Sequence, residues 1–147
     1  MKHILVVEDT EDDVFFLKRA LKAAGITIPV QVAVDGQQAL DYLSYSGAYA
    51  DRERYPLPFL VLLDLKLPYI MGFDVLRWIR QQPPLADVKV VVLSSSQQEA
   101  DIQMARTLGC NSYLVKPVTA EKLASLMQSL EEGRVDAFLS PSASQNA

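Results

Sequence analysis

The sequence predicts an α/β fold, a doubly wound sheet of five parallel strands lying between two layers of helices. Three observations predict it. Five short runs rich in Val, Ile and Leu recur along the chain, and the third and fourth are apolar without interruption, as strands buried on both faces are. Each run is followed by a segment whose apolar residues recur at helical spacing, the alternation that builds a parallel sheet. Gly, Pro and acidic residues punctuate the junctions between the runs.

Ile4–Val7 is the first strand. Thr10 stands where a helix N-cap is expected, with Asp13 three residues on and acids throughout the first turn. Val14, Leu17, Leu21 and Ala24 keep helical spacing until Gly25 closes the element. Val30–Val34 is the second strand, and Asp35-Gly36 turns the chain into a helix carrying Ala39, Leu40 and Leu43. Ser46–Pro58, rich in Gly, Tyr, Pro and charge, reads as a loop. Phe59–Leu63 is the third strand, and Gly72–Gln82 a helix stopped by Pro83-Pro84. Val88–Leu93 is the fourth strand, Gln97–Leu108 a helix closed by Gly109, Ser112–Val115 the fifth strand and Thr119–Glu132 the last helix. One domain over residues 1–132 is therefore expected, followed by a polar, frayed tail over residues 133–147.

Composition narrows the function classes. The chain has 147 residues, half of them hydrophobic, enough for one domain with a substantial core. Its net charge of −4 argues against nucleic acid or an anionic membrane as partner. Cys110 is the one cysteine, so no intramolecular disulfide forms and a reducing compartment suits the chain. The apolar run at the N-terminus is cut off by acids after Val7, too short for a signal peptide or a membrane span. A cytoplasmic location is expected.

In a doubly wound sheet, ligands bind beyond the carboxyl ends of the strands. Glu8 and Asp9 follow strand one, Asp64 follows strand three, Ser94, Ser95 and Ser96 follow strand four, and Lys116-Pro117 follows strand five. Two unit charges about 5 Å apart repel by roughly 3 kcal/mol at an effective dielectric near 20. Lys116 alone cannot balance three carboxylates, so a hard divalent ion with oxygen ligands is expected, and Mg²⁺ fits best because it binds through a few carboxylates and bridges to phosphate. His3, the one histidine, opens strand one and reads as structural.

The runs ILVV-Glu8-Asp9, LL-Asp64-L-Lys66-L-Pro68, VVL-Ser94-Ser95 and Tyr113-LV-Lys116-Pro117, in this order and each ending a strand, resemble the receiver domain of two-component response regulators over about residues 1–132. The resemblance implies a flavodoxin-like (βα)5 three-layer sandwich and a phosphoryl group accepted on Asp64 from a phosphohistidine of a sensor histidine kinase. It implies a metal held by Glu8, Asp9, Asp64 and the backbone carbonyl of Lys66. Lys116 and Ser94 would bind phosphoryl oxygens, and Ser94 with Tyr113 would form the conformational switch. The Lys116–Pro117 peptide is expected to be cis. Glu8 stands where many members carry aspartate.

Ser46–Pro58 is longer than in the smallest receivers, and with the acidic start it loosely resembles the subgroup serving bacterial phytochromes and related kinases. Tyr45 just before it and Tyr49 and Tyr55 within it, interleaved with Arg52 and Arg54, suggest either a kinase-recognition loop or a tolerated surface insertion. No helix-turn-helix or catalytic module is evident after Glu132, so output is expected through protein contact or phosphorelay, without enzyme turnover beyond the chain's own phosphorylation and slow dephosphorylation. Leu123, Leu126, Met127 and Leu130 form an apolar stripe best explained by core packing. Phe138 and Leu139 are harder to bury within one domain, so a homodimer through the face of helix four, strand five and helix five is an expectation. A phosphatase of the haloacid dehalogenase type is disfavoured because Lys66 stands where its second aspartate is needed. A flavodoxin-type nucleotide binder is disfavoured because six residues from Glu8 to Asp13, five of them acidic, would repel phosphate. A receiver that no longer takes phosphate is disfavoured because all five active positions are filled.

Overall fold

The computed structural model describes residues 2–132. The tail over 133–147, with Phe138 and Leu139, lies outside the described residues. Strands β1 (Ile4–Val7), β2 (Val30–Ala33), β3 (Leu60–Asp64), β4 (Lys89–Ser94) and β5 (Ser112–Val115) form one parallel sheet in the order β2-β1-β3-β4-β5. Helices α1 (Glu11–Ala23), α2 (Gly36–Leu43), α3 (Gly72–Arg80), α4 (Glu99–Thr107) and α5 (Ala120–Glu131) alternate with the strands. The expected fold class is the observed one.

Side chains alternate along each strand, so the sheet supplies two cores. Leu5, Val7, Val61, Leu63, Val90 and Val92 face α2, α3 and α4. Ile4, Val6, Leu60, Leu62, Val91 and Leu93 face Leu17 and Leu21 of α1 and Leu123 and Leu126 of α5. Met127 and Leu130 pack against the second core, so the apolar stripe of α5 is used inside the domain.

Several boundaries differ from the sequence reading. Asp64 and Ser94 are the last residues of β3 and β4, not the first residues after them, because their backbones still pair in register, Asp64 with Leu93 and Ser94 with Val115. Asp35 caps α2 by accepting from the Gln38 N–H at 2.8 Å, and Thr119 caps α5 by accepting from Lys122 at 3.2 Å. Thr10 sits at the N-cap of α1, but its hydroxyl makes no capping bond. Its own N–H donates to Glu8 Oε1 at 3.3 Å, and Glu11, Asp12 and Asp13 answer the helix dipole instead.

The insertion is more ordered than a plain loop. Gly47–Tyr49 forms a turn of 3-10 helix. The rings of Tyr42, Tyr49 and Tyr55 meet with centroids 5.0, 5.3 and 5.8 Å apart, and the buried Tyr42 hydroxyl donates to the Pro56 carbonyl at 3.0 Å. Burial pushes the Tyr42 phenol up to about 12, so this donor keeps its proton throughout the physiological range. Tyr49 and Tyr55 thus anchor the segment to the core, and Arg52 lies over the Tyr45 ring at 4.3 Å.

At the base of the sheet, Arg80 ties α3 to the ends of two strands. Its guanidinium donates to the carbonyls of Gly109 (2.8 Å) and Val88 (2.9 Å) and to Asn111 Oδ1 (2.9 Å). At the opposite end, Gly72 lets α3 start directly against β3. A Cβ there would lie 2.4 Å from the Asp64 carbonyl oxygen and 2.6 Å from the Leu65 Cα. That contact makes the first turn of α3 the backing for Asp64.

Candidate functional site

The order β2-β1-β3-β4-β5 reverses direction at β1, so the crevice opens between the carboxyl ends of β1 and β3. Glu8 and Asp9 leave β1 at this point and Asp64 ends β3. One carboxylate oxygen from each lies within 4.8 Å of the other two, with Glu8 and Asp64 buried and Asp9 exposed. Lys116, one residue past β5, brings its ammonium into the same cleft, 3.1 Å from Glu8 Oε2 and 3.5 Å from Asp64 Oδ1.

The third neighbour of Lys116 is Asp13 Oδ2, at 3.1 Å. The sequence presents Asp13 as a helix-end signal and as part of an acidic run, not as a partner of Lys116. Asp9 precedes the extended N-cap Thr10 while Asp13 lies in the first turn of α1, so helical spacing does not relate the two acids. A cleft of about 340 Å³, lined by Glu8, Asp13, Phe16, Leu17, Lys116 and Pro117 among others, opens beside the cluster. The Lys116–Pro117 peptide is cis, as expected.

The electrostatics follow from crowding. Burial and then the neighbouring Asp64 charge push the Glu8 carboxyl up to about 7, although Lys116 holds it down in part. Burial also raises Asp64, against the opposing pull of Lys116. For Lys116, burial works against the charge, but Asp64 and Glu8 more than offset it and hold the ammonium above its usual range. Acid oxygens in excess over one ammonium form a hard donor set with uncompensated charge, and that fits a divalent cation. Lys66 adjoins the cluster, its N–H donating to Asp64 Oδ1 at 3.5 Å while its side chain is exposed.

Ser94 and Tyr113 are brought together on the neighbouring strands. Ser94 is buried, and its Oγ accepts from the Ser96 N–H at 3.0 Å. Tyr113 is fully buried, and its hydroxyl donates to the Ser96 carbonyl at 3.0 Å. Ser96 also donates through its own hydroxyl to Asp101 Oδ2 at 2.6 Å. Ser96 is therefore the residue through which the loop after β4 is tied to both β5 and α4. In the sequence it was one of three adjacent serines with nothing to separate them.

Residues 4–128 match the response regulator receiver domain. The chain belongs to that family. Among receivers of known name, it is 35% identical over 142 residues to the response regulator Rcp1 of Synechocystis, covering 97% of this chain and 95% of that protein. The bacteriophytochrome response regulator RtBRR superposes with a TM-score of 0.80 at 40% identity, covering 88% of this chain and 78% of that one. The phosphorylated cyanobacterial phytochrome response regulator RcpA superposes with a TM-score of 0.75 at 34% identity, covering 95% of this chain and 98% of that one. Rcp1 has itself been solved in a Mn²⁺-bound form, with a TM-score of 0.74 to this chain. No helix among the described residues of this receiver is long and apolar enough to cross a membrane.

The raised Glu8 carboxyl gives the receiver a testable pH response. In the folded chain Glu8 holds its proton up to about 7, whereas an unfolded carboxyl releases it near its ordinary value of 4.5. The folded state therefore binds more protons between these values, and the metal-free protein loses stability as pH rises through that window, on the order of 2 kcal/mol. Thermal melts at pH 5 and pH 8 check this: Glu8→Gln is expected to flatten the difference. An equal loss in the variant would assign the effect to other groups.

Proposed function

We propose that this chain is a phosphorylation switch: it accepts one phosphoryl group on Asp64 from a phosphohistidine of a sensor histidine kinase, and responds by rearranging the face formed by α4, β5 and α5. The observation that carries the reading is a buried carboxylate at the switch point, 3.5 Å from an ammonium and within 4.8 Å of two further acids. Asp64 is a carboxylate nucleophile. One of its oxygens attacks phosphorus, the bond from phosphorus to the donor breaks, and the donor leaves with the electron pair. Phosphoryl transfer needs positioning and neutralised oxygens more than proton transfer. Lys116 meets one phosphoryl oxygen and Ser94 donates a hydrogen bond to another.

Mg²⁺ is the cofactor in this reading: Asp9, Asp64 and the Lys66 carbonyl would hold it with the help of Glu8, and it would supply charge neutralisation at the phosphoryl group. The Mn²⁺-bound form of Rcp1 supports a divalent ion at this cluster. Similarity to receivers named for bacteriophytochromes and cyanobacterial phytochromes supports a phytochrome-type kinase as donor. The cleft beside the acids is edged by the exposed Phe16, an apolar rim for an incoming kinase helix. The reading places the protein in the cytoplasm, with no catalysis beyond its own phosphorylation and slow dephosphorylation.

Tyr113 is the relay from site to surface. Its hydroxyl already reaches Ser96, so a Ser94 hydroxyl drawn toward a phosphoryl oxygen acts on the loop to which Tyr113 is tied. A homodimer through the α4–β5–α5 face is part of the proposal. Sedimentation showing only monomer at high micromolar concentration, with and without phosphoryl donor, would remove that part.

The deciding experiment is incubation of the full chain with Mg²⁺ and acetyl phosphate, followed by intact-mass measurement. One added phosphoryl group is expected, absent when the metal is chelated. No uptake in excess Mg²⁺ and donor would overturn the reading.

A further inference from the structure

Lys116 is shared three ways. Its Nζ lies 3.1 Å from Glu8 Oε2, 3.1 Å from Asp13 Oδ2 and 3.5 Å from Asp64 Oδ1. The contacts to Glu8 and Asp13 are hydrogen bonds, and the contact to Asp64 is the longest of the three ion pairs. The two nearer partners differ in setting. Glu8 is almost wholly buried and is further fixed by accepting the Thr10 N–H at 3.3 Å. Asp13 hangs from the first turn of α1, and 45% of its side chain is exposed. It is the more exposed counter-ion of the lysine and lies nearer to it, at 3.1 Å, than the buried Asp64 does at 3.5 Å.

We propose that Asp13 is a positioning residue: it holds the Lys116 ammonium toward α1, away from the phosphoacceptor, and so restrains the rate at which Asp64 takes up a phosphoryl group. This rests on the phosphoacceptor reading of Asp64. As the new bond from an Asp64 oxygen to phosphorus forms and acetate departs from acetyl phosphate with its electron pair, negative charge lies on the phosphoryl oxygens and no proton is exchanged. Lys116 is most useful at those oxygens. A contact with Asp13 that is strongest before transfer stabilises the starting state more than the transition state, and that slows the step. The pair is partly open to water, so its influence is that of an exposed ion pair, about threefold in rate.

The test compares initial rates of phosphoryl uptake from acetyl phosphate, in excess Mg²⁺, for the parent chain and for Asp13→Asn, Asp13→Glu and Asp12→Asn, each shown to be folded by its melting curve. Asp12 lies in the same first turn and is exposed, so its substitution removes equal charge from the neighbourhood. Asp13→Asn is expected to label about threefold faster, Asp12→Asn at the parent rate, and Asp13→Glu close to the parent because the carboxylate is restored. Asp13→Asn labelling no faster than Asp12→Asn, or slower than the parent, would overturn the proposal. The two readings fail differently: a parent chain that takes no phosphoryl group removes the phosphoacceptor, whereas a labelled parent with indifferent Asp13 variants removes only the restraint.

Discussion

Asp64→Asn is expected to lose phosphoryl uptake from acetyl phosphate by at least about a hundredfold, to the level seen with chelator. The amide matches the carboxylate in shape but is a far weaker nucleophile, and it removes one of the charges that would hold a divalent ion. The neighbouring acids are poorly placed to substitute. Glu8 is committed to Lys116 and to the Thr10 N–H, and its burial favours the protonated form even without the Asp64 charge. Asp9 is exposed and outside the three-way contact around the ammonium. Intact mass followed by peptide mapping checks both the loss and the position. Label persisting at the parent rate, or moving to Asp9, would show that the acceptor had been misassigned.

Arg80→Ala is expected to destabilise the fold by about 3 kcal/mol, read as a lower urea midpoint with unchanged slope. The guanidinium makes three hydrogen bonds of 2.8–2.9 Å to Gly109, Val88 and Asn111, and its own pKa is lowered by the burial this requires. Removing it strands carbonyl oxygens at the base of β4 and at the turn before β5. Arg77 provides the contrast on the same helix. Its pair with Asp74 is as short, 2.8 Å, but both side chains are about half exposed. Arg77→Ala should therefore change stability by less than about 0.5 kcal/mol. Equal losses from the two variants would mean that geometry, not burial, sets the value of these contacts.

The fold and most of the site were readable because their signals are local. A buried parallel strand reads as an unbroken apolar run, and a polar residue that ends such a run stands out, as Asp64 does after Leu60–Leu63 and Ser94 does after Val90–Leu93. The residues that escaped have partners far away in sequence. Asp13 meets Lys116 across 103 positions, and nothing but the direction of α1 brings them together. Arg80 bonds mainly to backbone carbonyls, which leave no trace in side-chain identity. Ser96 could not be told from its neighbours until the loop after β4 had a shape. The Thr10 cap failed for a related reason: the cap position was correct, but the Thr10 N–H turns back toward Glu8 and its hydroxyl makes no bond to the helix.

The triangle of Tyr42, Tyr49 and Tyr55 has a mechanical consequence. Tyr42 belongs to α2, while Tyr49 and Tyr55 belong to the segment after it, so the segment is moored to the helix by rings at two points and by a phenol hydrogen bond at a third. Amide protons across it are then expected to be sheltered together with those of α2 and to exchange as one unit. Anything that grips this segment from outside pulls on a whole layer of the sandwich, and the load arrives on the side of the sheet that carries α3 and α4.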